Sequence, residues 1–151
     1  MPINFSDTIP AAPSGKANIK WQSDGDNNLS AYTDAAISGG PYDIVASYVG
    51  SPAASAVVLI LTATRVVSFA ANFGGSYGTV GTNPTAAATY SVKKNGSSIG
   101  TIAISTGGVF TFATSGGAVQ SLAAGDRMTI EAPSPADSTL ANVGITLAGT
   151  R

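Results

Sequence analysis

From Ser55 onward, short runs rich in Val, Ile, Thr and Phe alternate with Gly, Pro, Asn and Ser-Gly clusters at roughly 8–12-residue spacing. β-branched and aromatic side chains suit a pleated, half-buried surface, and the clusters end each run before it can lengthen. Candidate strands are 56–62, 65–70, 85–93, 99–105, 109–114, 118–122, 127–132 and 142–147. The 18 glycines in 151 residues interrupt any sustained 3.6-residue period, so helix is expected to be minor. The cadence predicts an all-β domain over 55–151, an antiparallel β-sandwich of jelly-roll or Ig-like type.

The N-terminal part reads differently. Residues 1–34 carry Pro10, Pro13, Gly15 and Gly25 around two short alternating pieces, 18–22 and 29–33. They predict an extended arm with one small hairpin. Its bulky anchors, Ile19, Trp21 and Tyr32, together with Phe5, are candidate contacts to another surface, because so thin a core needs support from outside. Residues 35–54 place Gly39, Gly40, Pro41, Gly50 and Pro52 around "YDIVASYV", a connector carrying one strand. The opening "MPINFSDTIP" lacks a basic stretch followed by an apolar run, so no signal peptide is expected. The most apolar window, 56–69, is broken by Arg65 and suits a buried strand better than a membrane helix of about 20 residues.

Charge narrows the function classes. Charged residues are 10% of the chain, against roughly 25% in ordinary soluble domains, and the formal net charge is -1. The basic residues Lys16, Lys20, Arg65, Lys93, Lys94, Arg127 and Arg151 are scattered, which argues against nucleic acid or an anionic membrane as partner. A surface of Ser, Thr, Asn, Gly and Ala is cheap to bury, so an oligomer or a larger assembly is expected. The chain has no Cys and no His, which removes the usual nucleophile, base and transition-metal arrangements. No cofactor, metal site or enzymatic activity is expected. "DGDNNL" at 24–29 begins like a calcium loop, but Leu29 stands where glycine is required and Ala35 where a closing Glu should be, so it reads as a polar turn. "ANFGGSYG" at 71–78 fits no phosphate-binding pattern and reads as a loop. Trp21, Tyr42, Tyr48 and Tyr77 are the aromatics able to stack on a sugar, which makes a host glycan a candidate partner.

The stretch 88–105, "ATYSVKKNGSSIGTIAIS", is a hairpin whose register can be worked out. A two-residue Asn95-Gly96 turn alone would set Tyr90 against Thr101 and turn Ile102 and Ile104 outward. One extra residue at Gly100 repairs this: Ile102 then opposes Tyr90, Ile104 opposes Ala88, and Val92, Ile99, Ile102 and Ile104 share one face. A three-residue loop with Gly96 left-handed would instead move Ile99 to the side of Lys93 and leave more apolar surface wet. Lys93 and Lys94 are expected to keep an exposed tip soluble. Asp126 in "AAGDR" and Glu131 before "APSP" read as turn residues rather than a catalytic pair.

The arm "INFSDTIPAAPSGKANIKWQSDGDNNLSAY" resembles openings of small virion structural proteins of tailed bacteriophages. "NPTAAATYSVKKNG" at 83–96, "AAGDRMTI" at 123–130, "APSPADSTLANV" at 132–143 and "ITLAGTR" at 145–151 are similar to the closing β domain of phage virion and fibre-type proteins. The resemblance implies a non-enzymatic virion protein, made in the host cytoplasm and placed on the particle surface. It further implies a β-sandwich in a homotrimer, with the major capsid protein or another virion protein as partner. The chain shows no heptads, collagen-like triplets or period of 20–50 residues that would build a fibre shaft. A capsid decoration or cement protein is therefore expected, the alternative being a tail fibre or tail-tip protein that binds a host receptor or glycan.

Overall fold

The computed structural model describes residues 40–151 and, before them, two strand backbones, β1 (Ile19–Ser23) and β2 (Leu29–Thr33). The chain divides into two compact units, Met1–Ser38 and Gly39–Arg151. In the first, β1 and β2 pair antiparallel, with Ile19 opposite Thr33 and Trp21 opposite Ala31.

The second unit is all-β. Its strands are β3 (Ile44–Tyr48), β4 (Val57–Thr62), β5 (Val67–Phe69), β6 (Tyr77–Thr82), β7 (Ala88–Lys94), β8 (Ser97–Ile104), β9 (Phe110–Thr114), β10 (Gln120–Leu122), β11 (Arg127–Glu131), β12 (Ala141–Leu147) and β13 (Gly149–Thr150). Every pairing is antiparallel: a five-stranded sheet in the order β4-β11-β7-β8-β9, and two three-stranded sheets, β3-β12-β6 and β10-β5-β13. Among the described residues there is no α-helix, only the single turns Ala71–Phe73 and Ser115–Gly117. The segment read as a connector, 35–54, supplies β3. That strand belongs to the sheet because alternate residues Ile44 and Ala46 drop into the core opposite Leu147 and Ile145.

Alternation builds that core. Ala88, Tyr90 and Val92 of β7, Ile102 and Ile104 of β8, and Met128 and Ile130 of β11 point inward from the large sheet. They join one cluster with Val143, Ile145 and Leu147 of β12. Each fully buried aliphatic side chain contributes about 1.5–3 kcal/mol, so the sandwich-like arrangement rests on these rows. At the centre, Asn95-Gly96 closes a two-residue turn and Lys94 opposes Ser97. The ladder then slips by one: Lys93 opposes Ser98, but Val92 opposes Gly100, leaving Ile99 as the extra residue of a bulge. Beyond it Ile102 opposes Tyr90 and Ile104 opposes Ala88. The extra residue is Ile99 rather than the Gly100 expected from the sequence; Gly100 itself pairs with Val92 and has no room for a side chain. A Cβ there would lie 2.4 Å from the carbonyl oxygen of Ala113 and 2.5 Å from the ring of Phe73. Phe73 is held over it by Asn72, whose amide N–H donates to Thr114 Oγ1 at 2.9 Å while its Oδ1 accepts from Thr114 N at 3.3 Å.

Two strands are absent from the sequence reading. β6 lies partly in the stretch read as a loop, and its Gly78 and Gly81 interrupt the β-branched pattern. Yet a Cβ on Gly78 would sit 2.2 Å from the Phe110 ring, so glycine here marks close approach of β6 to β9 rather than a break. Gly149 of β13 is similar, with Tyr42 O 2.9 Å from where its Cβ would be.

Tyr90 is wholly buried and its hydroxyl has no protein hydrogen-bond partner. Burial, and to a lesser degree the neighbouring Tyr48, push its pKa up to about 12. The native core accepts only the neutral phenol, so the stability this residue supports is intact below its ordinary value of 10 and drains as pH rises from there to about 12. Tyr90→Phe is expected to raise stability by up to about 1 kcal/mol and to flatten that alkaline limb, read by urea denaturation across pH. Gly100→Ala is expected to cost about 1–3 kcal/mol, because the obstructing atom is backbone; a midpoint unchanged from wild type would contradict the bulge packing.

Candidate functional site

Five of the nine charged side chains of the β unit, Lys93, Lys94, Asp126, Glu131 and Asp137, are held in three places. At the hairpin tip, Asn95 Nδ2 donates to Asp126 Oδ1 at 2.7 Å, and the Arg127 amide donates to Asn95 Oδ1 at 2.8 Å. Lys94 Nζ lies 3.0 Å from Asp126 Oδ2 and donates to the Ser121 carbonyl at 2.9 Å. The Ala123 amide donates to Asp126 Oδ2 at 2.7 Å. This backbone bond first, then Lys94 and Asn95, hold the Asp126 carboxyl down at about 2. The structure thus brings Asn95, Gly96 and Asp126 together, with Gly100 farther along the same hairpin.

The lysines are not a free solubilising pair. β7 is the middle strand of its sheet, so both side chains lie along β11 and its entry turn. Lys93 makes an ion pair with Glu131 on the outer face of the sheet, and both partners keep under a third of their side chains exposed.

The third cluster is Asp137. Its Oδ2 accepts from Thr85 N, Thr85 Oγ1 and Ala86 N at 2.9, 2.9 and 3.0 Å. Its Oδ1 accepts from Thr139 N, Thr139 Oγ1 and Leu140 N at 2.9, 2.7 and 3.0 Å. The Thr139 hydroxyl and the Ala86 amide are the main causes that hold this carboxyl far below the usual range. With both oxygens committed, Asp137 ties 85–86 to 139–140 and offers no free lone pair to a ligand. "ADST" is a side-chain turn signature, and it was the available signal for this residue.

A different kind of surface lies on the outer face of β3-β12-β6. One row across the strands is Val45, Thr146 and Tyr77; the next is Ser47, Gly144 and Thr79. Val45 is 64% and Tyr77 78% exposed. Because Gly144 has no side chain, a shallow trough of about 160 Å³ runs between them, lined by no charged group. Ile60, on the edge strand β4, is a further large apolar side chain left 64% exposed. The unbroken apolar run Ile44-Val45-Ala46 was the trace of this two-sided strand in the sequence. A larger depression of about 330 Å³, also without charge, lies by Phe69, Gly74, Val119 and Ala148. Among the described residues, no three acidic side chains converge as metal ligands.

Of the arm residues singled out, Ile19 and Trp21 lie on β1 and Tyr32 on β2. Phe5 and the calcium-like stretch 24–28 fall outside the described residues. Tyr42 and Tyr48 are not gathered with Tyr77 in the trough. No protein-family model, curated protein or solved structure matches the chain.

Both depressed carboxyls give the same sign of pH dependence. Their hydrogen bonds stabilise the fold fully above the ordinary Asp value of 3.8, and the Asp126 contribution drains as pH falls from there to about 2. Asp137→Asn is expected to melt below wild type at neutral pH, since its amide would place a donor against the six N–H and O–H donors, and to have a shallower acid limb. Thermal denaturation followed by circular dichroism at pH steps checks both; a wild-type melting point would show that the clamp contributes nothing.

Proposed function

We propose that the chain is a non-enzymatic structural protein of a tailed-phage virion, most specifically a capsid decoration protein that seats on the head shell as a trimer. The observation that carries this reading is the charge-free outer face of β3-β12-β6, with Val45 and Tyr77 exposed beside a trough floored by Gly144. Such a face loses little by desolvation when covered by protein. The polar clusters support the same reading: Asp126, Asp137 and Glu131 and the two hairpin lysines are spent on holding turns and strands together. The resemblance of 3–32 and 83–151 to phage virion proteins adds the particle context.

In this reading the arm lies along the shell, with Phe5, Ile19, Trp21 and Tyr32 as anchors and the strand backbones available for pairing. Three arms held by one trimer raise the effective concentration of each, so individually weak contacts suffice. A second reading, a tail-tip protein binding a host glycan, is favoured by the exposed Tyr77 ring beside the hydroxyl-bearing Ser47 and Thr79.

Purified heads separated from tails should carry the protein in stoichiometric copies, and the isolated chain should be a trimer by light scattering. Trp21→Ala and Tyr77→Lys should each lower head occupancy at least about tenfold while circular dichroism stays unchanged. Absence from heads, with a few copies on tails and retention of host glycan, would replace the first reading by the second.

A further inference from the structure

We propose that Asn95 is a deamidation site held in reserve, with Asp126 as the positioning residue that keeps its amide from reacting. Asn-Gly is the pairing at which a following backbone nitrogen is least shielded. Gly96 stands open, since a Cβ added to it would meet nothing within 4 Å. In the reaction Gly96 N bonds to Asn95 Cγ and gives up its proton, the Cγ–Nδ2 bond breaks, and ammonia leaves. The five-membered succinimide that results is opened by water at either carbonyl, giving Asp or isoAsp at position 95. No oxidant or reductant enters.

The folded turn opposes the first step in three ways. The left-handed conformation of both residues, φ 49° at Asn95 and 88° at Gly96, is fixed by the two-residue hairpin. The amide is gripped at both ends, Nδ2 by Asp126 at 2.7 Å and Oδ1 by the Arg127 N–H at 2.8 Å. The Asn95 backbone N–H is also committed, to Arg127 O at 2.8 Å. Asp126 cannot easily follow a turning amide, because Lys94 and the Ala123 N–H hold its other oxygen.

The product differs from the reactant where it matters most. A carboxylate at 95 would replace the donor that faces Asp126 with a like charge at hydrogen-bond distance, and isoAsp would also lengthen the backbone of a two-residue turn. Conversion therefore releases the hairpin tip from the β10–β11 turn and does not reverse. Because Asp126 remains ionised down to a pH of about 2, the guard operates throughout the neutral range in which the succinimide forms.

The test follows ammonia release and the isoAsp content of the peptide containing residue 95, by mass spectrometry, in the full chain at neutral pH. Four samples are compared: wild type and Asp126→Ala, each folded and each in urea. Folded wild type should convert far more slowly than in urea. Folded Asp126→Ala should convert roughly tenfold faster than folded wild type, the effect of losing one charge-assisted hydrogen bond, and the two should match in urea. Should Asp126→Ala fail to fold by circular dichroism, Lys94→Ala, which loosens Asp126 without touching Asn95, is expected to give a smaller acceleration. Equal rates for folded and unfolded wild type, or a folded variant converting at the wild-type rate, would overturn the proposal.

Discussion

One extra residue in β8 decides which side of the central strands is wet. Without Ile99 as a bulge, every residue of β8 beyond it would turn over relative to β7, and Ile102 and Ile104 would leave the core that Tyr90 and Val92 enter. β9 takes its register from β8, with Gly100 opposite Thr114 and Ile104 opposite Phe110. Thr114 in turn holds the Asn72 turn that sets Phe73 on Gly100. The slip is thus shared by three strands and a neighbouring loop, and the missing Cβ of Gly100 is what lets them close on one another.

Much of this was legible because it depends on period-2 arithmetic within one hairpin. The inward set Val92, Ile99, Ile102 and Ile104 can be counted from residue order once the Asn-Gly turn is recognised. What stayed hidden depends on pairs far apart in the chain. Gly78 looks like a loop residue until Phe110 is beside it, and Asp137 looks like an ordinary turn residue until Thr85 and Ala86 reach its second oxygen. The lysines were misplaced for the same reason: the sequence does not say that β7 is flanked by β11, where Glu131 and Asp126 wait. Glycine is the ambiguous letter in this chain, since the residue that ends strands also permits two sheets to touch.

Electrostatics and surface chemistry divide the labour. Among the few charges of the β unit, the carboxylates Asp126 and Asp137 hold turns through several hydrogen bonds each, which take the place of the helix caps and long side-chain networks of more highly charged proteins. The outer face of β3-β12-β6 is left to Val, Tyr, Thr, Ser and Gly. Such faces have little means of repelling a neighbour, which suits a molecule that works by being covered, while the edge of β4 with Ile60 exposed has no charged side chain of its own to discourage pairing.

The contact of Gly78 with Phe110 has a further consequence. Positions 78 and 110 share a single volume contributed from two sheets, so a side chain at 78 requires a smaller ring-less residue at 110. Among descendants of this sequence the two should vary as a pair, and a lineage that exchanged them would carry the fold's inter-sheet contact forward with its donor and recipient strands reversed.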